Sequence, residues 1–182
     1  MDQQELVTLI TRRVMDTLKI QELDEKAANL YGPPQYGPDG KRLIPLGISA
    51  RHLHISPEDL EILFGKSYQV TIRNALYQKF QYAYEEFLTI IGPNKRKFDK
   101  VRILGPPRGK TQVEISRTDA IFLGVEPPVA VSVGHKGGVN LTLVGPKATI
   151  ERPCGICASR HIHMSPEDAT HFGVENEQTV KI

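Results

Sequence analysis

The stretch Arg51-His52-Leu53-His54-Ile55-Ser56-Pro57-Glu58-Asp59 recurs as Arg160-His161-Ile162-His163-Met164-Ser165-Pro166-Glu167-Asp168, with seven of nine positions identical. Four of the chain's six histidines fall in these two places. Alternate side chains of a strand share a face, so each His-x-His offers two imidazoles to one metal ion. A third, degenerate copy runs from Gln112 through Ala120 into Leu123-Gly124-Val125, matching Ser165, Asp168, Ala169, Phe172, Gly173 and Val174 at a constant offset. In that register Glu114 falls where His54 and His163 fall, and a carboxylate there suits zinc or a similar divalent ion. A repeated His-x-His also serves as a packing device, with Arg51 and Arg160 pairing to local acids. Two copies plus a carboxylate at the same register favour a metal centre.

Other groups could serve that centre. Arg108 follows the Gly105-Pro106-Pro107 turn, six residues before Glu114. A guanidinium beside a metal suits an anionic substrate, phosphate or carboxylate, whereas the plainer reading is a solvated loop arginine. Lys95-Arg96-Lys97, with Lys100 and Arg102, forms a basic cluster that a phosphate-rich ligand would want nearby. Cys154-x-x-Cys157 reads as buried packing, with redox or metal binding as weaker readings. His135 and His171 read as a loop residue and a helix-surface residue. No Gly-rich phosphate loop of the Walker or dinucleotide type is present, and no nucleophile elbow.

The elements that must position these groups are short. In the two His-x-His copies a Ser caps a helix, Pro fills its first turn, and acids complement its positive end. A Gly about eight residues later ends it. The residues before the Ser read as strand. Further β-rich runs lie at 43–49, 68–72, 87–92, 100–105, 112–116, 139–145 and 155–159, many closing in Gly-Pro. Strands punctuated this way predict small barrels rather than a doubly wound sheet. At the N-terminus, Leu6, Leu9, Ile10, Val14 and Leu18 recur at helical spacing, predicting an amphipathic helix within 1–20. It packs on its own domain or a second subunit, or docks onto a larger assembly. Residues 21–42, rich in Gly and Pro from Gly32 to Gly40, read as a linker.

The 182 residues carry 23 Lys plus Arg against 21 Asp plus Glu, a balance that argues against broad phosphate neutralisation on nucleic acid. No apolar run reaches the ~18 residues of a membrane span. The N-terminus lacks a secretory pattern, and two cysteines are too few for a disulfide framework, so a cytoplasmic setting is expected.

GISARHLHISPEDLEILFG, EEFLTIIGP, KVRILGPPRGKTQVEISRTDA and ASRHIHMSPEDATHFGV together resemble the phosphate propanoyltransferases, the phosphotransacylases associated with bacterial microcompartments and propanediol degradation. These segments cover most of residues 46–174. The resemblance implies two small β-barrel domains, each with short helices, and a di-zinc site between them. The regions would be 43–130 and 131–182, with barrels that exchange strands. It implies acyl transfer between coenzyme A and phosphate. It places one zinc on His52, His54 and Glu114, a second on His161 and His163, and phosphate on Arg108. Coenzyme A would lie along Ile48-Ser49-Ala50, with Lys95 and Arg102 near its phosphates; Asn94 is as eligible as Lys95. Residues 1–20 resemble an encapsulation peptide that would meet shell or lumen proteins of a microcompartment, and homo-oligomers are left open. The family normally continues past Ile182 with a fourth copy, so the second barrel is expected to lack strands and the second metal a ligand. The segment Leu76–Gln81 departs from the family's usual turn. A non-catalytic metal-holding or assembly protein, or a zinc hydrolase using the same site, is the alternative.

Overall fold

The computed structural model describes residues 35–44, 49–76, 80–132 and 137–181, together with Val14, Thr17, Gln21 and Glu22. Among the described residues from 35 to 181 the architecture is mainly β with three short helices. The strands are β1 (Gln35–Tyr36), β2 (Arg42–Leu43), β3 (His52–His54), β4 (Ile72–Ala75), β5 (Tyr82–Ile91), β6 (Lys97–Gly105), β7 (Gln112–Glu114), β8 (Val129–Ala130), β9 (Val139–Val144) and β10 (Thr149–Ala158). The helices are α1 (Pro57–Phe64), α2 (Arg117–Leu123) and α3 (Pro166–Phe172). Among the described residues no helix is long and apolar enough to cross a membrane.

Six strands close a barrel. The order β5-β6-β3-β7-β10 is completed by β9, which pairs with both β10 and β5. Closure leaves no edge around the ring, so each backbone row finds a partner. The interior is filled by Leu53, Leu88, Ile90, Val101, Ile103, Val113, Leu141 and Leu143, each at most 1% exposed. Thus β9 and β10, which follow residue 130, finish the barrel that β3 begins. At Gly155, β10 leaves the antiparallel ladder with β9 and runs parallel to β7. A Cβ on Gly155 would come within 2.7 Å of Val139 and 2.8 Å of Leu141, so the crossing requires glycine.

The three helices start as the repeat predicts. Ser56, Ser116 and Ser165 each accept a hydrogen bond from the backbone N–H three residues on, at 3.0–3.1 Å. Gly124 and Gly173 end α2 and α3 in the left-handed conformation, at φ 72° and 62°. Leu60, Leu63 and Phe64 of α1, and Ala120 and Leu123 of α2, are buried against the barrel. No residue of α3 is buried.

Three local expectations change. The strand expected at 68–72 runs instead from Ile72 to Ala75, because the Glu86 carboxylate takes the Thr71 N–H at 3.0 and 3.1 Å. Residues 35–43, all but the last within the span read as linker, form the β1–β2 hairpin, closed by Gly37 N–H on the Lys41 carbonyl. Arg42 of that hairpin has an almost buried side chain, 9% exposed, that pairs with Asp168 of α3 at 2.7 Å. His161–His163, expected as strand, is not one: among the described residues it has no ladder partner, whereas its counterpart β3 lies between β6 and β7. Most of the amphipathic pattern at 4–20 lies outside the described residues.

Candidate functional site

Strand β3 is only three residues long, yet it fixes the site. Leu53 points into the barrel between Ile103 and Val113, so His52 and His54 point outward. The antiparallel register with β7 sets His52 opposite Glu114 and His54 opposite Gln112. Because Glu114 is the repeat counterpart of His54, and Gln112 of His52, the β3–β7 pair is a local two-fold centred between Leu53 and Val113. Two copies of one unit therefore face each other and deliver both imidazoles and the carboxylate to one spot.

Potential ligand atoms of His52, His54 and Glu114 all lie within 4.8 Å of one another. His52 Nε2 is 3.4 Å from Glu114 Oε2, and its Nδ1 meets the Ala50 carbonyl at 2.9 Å. That second contact makes Nδ1 a hydrogen-bond donor and leaves Nε2 facing the carboxylate. Glu114 Oε1 accepts from Gln112 Nε2 at 2.7 Å and from the Ser132 hydroxyl. One carboxylate oxygen is thus held by the protein and the other is turned toward the histidines. His54 is 7% exposed, and its Nδ1 is buried without a hydrogen bond of good geometry, although the Leu104 carbonyl lies close by. Two imidazoles and an ionised carboxylate whose ligand atoms converge in this way are a donor set that fits a divalent cation.

The charges of Glu114 and His54 agree with that reading. Burial pushes Glu114 up, but the His52 and Ser132 hydrogen bonds and the nearby imidazoles outweigh it and hold the carboxyl at about 2. Burial, then Arg108, then His52 push His54 down to about 4, so its ring is neutral near pH 7. Burial also opposes charge on His52, but its Glu114 partner and the Ala50 carbonyl win and raise it. A neutral imidazole and an ionised carboxylate are the forms that ligate metal.

Arg108 lies close enough for its charge to act on both imidazoles. Its backbone N–H donates to the Ile55 carbonyl at 2.9 Å, which ties the Arg108 loop across the end of β3. The second pair, His161 and His163, is exposed. Its geometry echoes the first: His161 Nδ1 meets the Ser159 carbonyl at 2.8 Å, and the two Nε2 atoms are 3.1 Å apart. Burial and His161 lower His163, while the charge of Glu114 acts to raise it, so Glu114 stands within electrostatic reach of both pairs.

The expected coenzyme A residues are brought together in part. Ser49, Ala50 and Arg51 line a cleft with Glu114, Cys157 and Ala158. Arg102 is beside His52 in the β3–β6 register, packed over the Phe87 ring at 4.1 Å. Lys95 is exposed in the turn between β5 and β6, at the other end of β6 from the histidines. Asn94 there is committed to the Phe122 carbonyl at 2.9 Å. Ile48 and His135 lie outside the described residues. Cys154 is buried in the core, its thiol pushed up to about 12 by burial and by Asp59, whereas Cys157 is half-buried in the cleft.

Two supporting residues escaped the sequence reading. Gln112 carried a signal, since it occupies the His52 position of the third copy. Ser132 carried none.

Residues 45–182 match the family model described as phosphate propanoyltransferase. A relative of that name from Thermotoga maritima is 49% identical over 140 residues, covering 76% of this chain and 66% of its own length. One from Priestia megaterium is also 49% identical over 140 residues, with 64% of its length covered. One from Lachnoclostridium phytofermentans is 42% identical over 169 residues, covering 92% of this chain and 78% of its own. The chain spans about two thirds of the length of the first two relatives. It belongs to the phosphate propanoyltransferase family.

Proposed function

We propose that the chain carries the centre of a zinc-dependent phosphate acyltransferase, interconverting an acyl-CoA of the propanoyl class plus phosphate with acyl phosphate plus free coenzyme A. The observation that carries this is Glu114, ionised and held by Gln112 and Ser132, placed against one histidine pair and within charge reach of the other. His52, His54 and Glu114 would hold one zinc; His161 and His163 would contribute to a second. When bound, the metal supplies positive charge that orients phosphate and draws electrons from the thioester carbonyl.

The protein's own groups account for the remainder. Arg108 binds phosphate as a dianion through its planar fork and turns one oxygen toward the acyl carbon. That oxygen forms the new C–O bond, the C–S bond breaks, and the thiolate leaves to take a proton from water. No protein nucleophile is required. Ser49 and Ala50 line the cleft that would seat the thioester arm. Beyond them Arg51 lies over Phe98 at 4.0 Å, Phe98 packs on Phe122 at 4.8 Å, and Arg96 caps Phe122 at 5.2 Å. This row of rings and guanidinia leads toward Lys95 and suits the adenine and phosphates of coenzyme A. Arg102 borders the same face.

Thiol release from acyl-CoA, measured with and without phosphate, tests the proposal. Release that requires phosphate supports it; equal release without phosphate transfers the site to a hydrolase. One observation favours a different reading, a metal-holding or assembly protein: the second histidine pair is exposed. Metal analysis separates these, two tightly held ions per chain supporting the transferase and one supporting the holding protein. The amphipathic pattern at 1–20 further suggests encapsulation within a cytoplasmic bacterial microcompartment, which a reporter fused to residues 1–20 would test by co-sedimentation with shells.

A further inference from the structure

We propose that Thr111 is the positioning residue that holds the Arg108 loop over the His52–His54 pair. The inference rests on the reading of Arg108 as the phosphate contact. The local two-fold that relates β3 to β7 also relates Arg51 to Thr111 and Asp119 to Asp59, in each case by the offset that relates His54 to Glu114. The contacts obey the same symmetry. Arg51 reaches across to Asp119 at 2.7 Å, and Thr111 reaches back to Asp59 at 2.5 Å.

The two clasps are unequal. Arg51 is long and 42% exposed on its side chain, so its contact tolerates movement. Thr111 is short and buried, and three groups converge on its hydroxyl. Thr111 Oγ1 donates to Asp59 Oδ2, accepts the Ser56 backbone N–H at 3.0 Å, and lies 3.3 Å from the Ser56 hydroxyl. The other Asp59 oxygen takes Nε and Nη2 of Arg152 from β10, at 3.0 and 2.8 Å. The network therefore joins the start of α1, two residues after His54, to the start of β7, three residues before Glu114.

Between β6 and Thr111 the chain consists of Pro106-Pro107-Arg108-Gly109-Lys110, with Pro106, Gly109 and Lys110 exposed and Gly109 at φ +48°. Within this loop the Arg108 N–H binds the Ile55 carbonyl, and Thr111 is the buried anchor at its end. Removing one hydroxyl leaves the Ser56 N–H and an Asp59 oxygen buried without partners, a penalty that loosening of the loop relieves. A misplaced guanidinium weakens phosphate binding more than thioester binding.

The test compares Thr111→Val, nearly the same shape, with Thr111→Ser, which keeps the oxygen. Thr111→Val is expected to raise KM for phosphate about tenfold, with KM for acyl-CoA and bound zinc unchanged, and Thr111→Ser to restore it. Independently of activity, native-state trypsin is expected to cut after Arg108 or Lys110 about tenfold faster in Thr111→Val than in wild type or Thr111→Ser. An unchanged KM for phosphate, or a Thr111→Val protein that only melts earlier with no faster cutting at this loop, overturns the proposal. If Thr111→Val does not fold, Arg152→Lys reads the same two quantities through the other side of Asp59, with a smaller shift in the same direction. A wild-type protein that releases thiol without phosphate strikes the transferase reading instead, and the trypsin comparison then decides the anchor alone.

Discussion

His52–His54 and His161–His163 sit in units with seven of nine residues in common, yet the barrel treats them in opposite ways. The first is a strand between β6 and β7, with Leu53 fully buried and His54 only 7% exposed. The second has no ladder partner among the described residues, and Ile162, the counterpart of Leu53, is 38% exposed. Their helices diverge likewise: α1 buries Leu60, Leu63 and Phe64, while α3 buries nothing and is held by Arg42 on Asp168. What survives in both is local. The Ser cap, the Pro and acids of the first turn, and the His Nδ1 contact with a carbonyl two residues back are all written within one unit. What differs is supplied by neighbours. The lesson is that the motif encodes the grip and its helix, and that a facing copy converts the grip into a buried site.

The largest expected effect lies in metal binding. His54→Ala should lower zinc affinity more than about a hundredfold, since loss of a ligand exceeds the loss of an outer-shell partner. His163→Ala should cost far less, because an exposed pair is less preorganised. Titration against a chelating dye measures both. Equal losses would break the comparison, showing that the two grips are equivalent in solution.

Next in size is the packing of the shared aliphatic position. Leu53→Ala empties a fully buried site inside the barrel and should cost about 2–5 kcal/mol. Ile162→Ala, at the equivalent position, should cost less than about 1 kcal/mol. Urea unfolding of the two variants gives the contrast directly. A large cost at Ile162 would mean that the second unit is packed in solution.

The sequence made much of this legible because the repeat supplies a register. Once Ser116 is aligned with Ser56 and Ser165, Glu114 follows as a candidate ligand and the three helix starts follow from their caps. Gly-Pro turns and short β-rich runs indicate a barrel. The register could not reveal which copies face each other: the β3–β7 two-fold depends on Leu53 and Val113 meeting inside a closed ring. Nor could it find Ser132, a lone hydroxyl delivered from outside any repeat, or the Arg42–Asp168 contact, whose partners are far apart in the chain and need a hairpin where Gly and Pro suggested extension. Arg108 was legible as a loop arginine; its nearness to the imidazoles needed the Ile55 contact.

A third test uses pH on the chelated protein. His54 has its folded value depressed to about 4 from 6.5, so the unfolded chain binds a proton that the folded site refuses. Stability therefore falls as pH drops from about 6.5 toward about 4, by about 2–3 kcal/mol over that window. His52 acts with the opposite sign, its contribution present below 6.5 and lost as pH rises through its raised folded value. Glu114 joins only lower, its contribution fading as pH falls below about 4.5 toward about 2. His54→Gln should flatten the fall between pH 6.5 and 4.5, and His163→Gln should change it less, as its ring is exposed. A steeper change in the His163 variant would reverse the order of the two sites.

The smallest contrast concerns the caps, and it separates local from borrowed stability most cleanly. Ser56 and Ser165 make the same bond to the N–H three residues on, at 3.1 and 3.0 Å, so losing the cap alone should cost about 1 kcal/mol in each. Ser56 is also buried against Thr111 and Asp59, whereas among the described residues the Ser165 hydroxyl meets its own unit, Asp168 and its N–H. Ser56→Ala should therefore cost about 1 kcal/mol more than Ser165→Ala, the penalty for disturbing a buried network. Thr111→Val should erase most of that excess in a double-mutant cycle, because the two side chains share one set of partners. An additive cycle would place the extra cost of Ser56→Ala in α1 itself and uncouple the cap from the loop that carries Arg108.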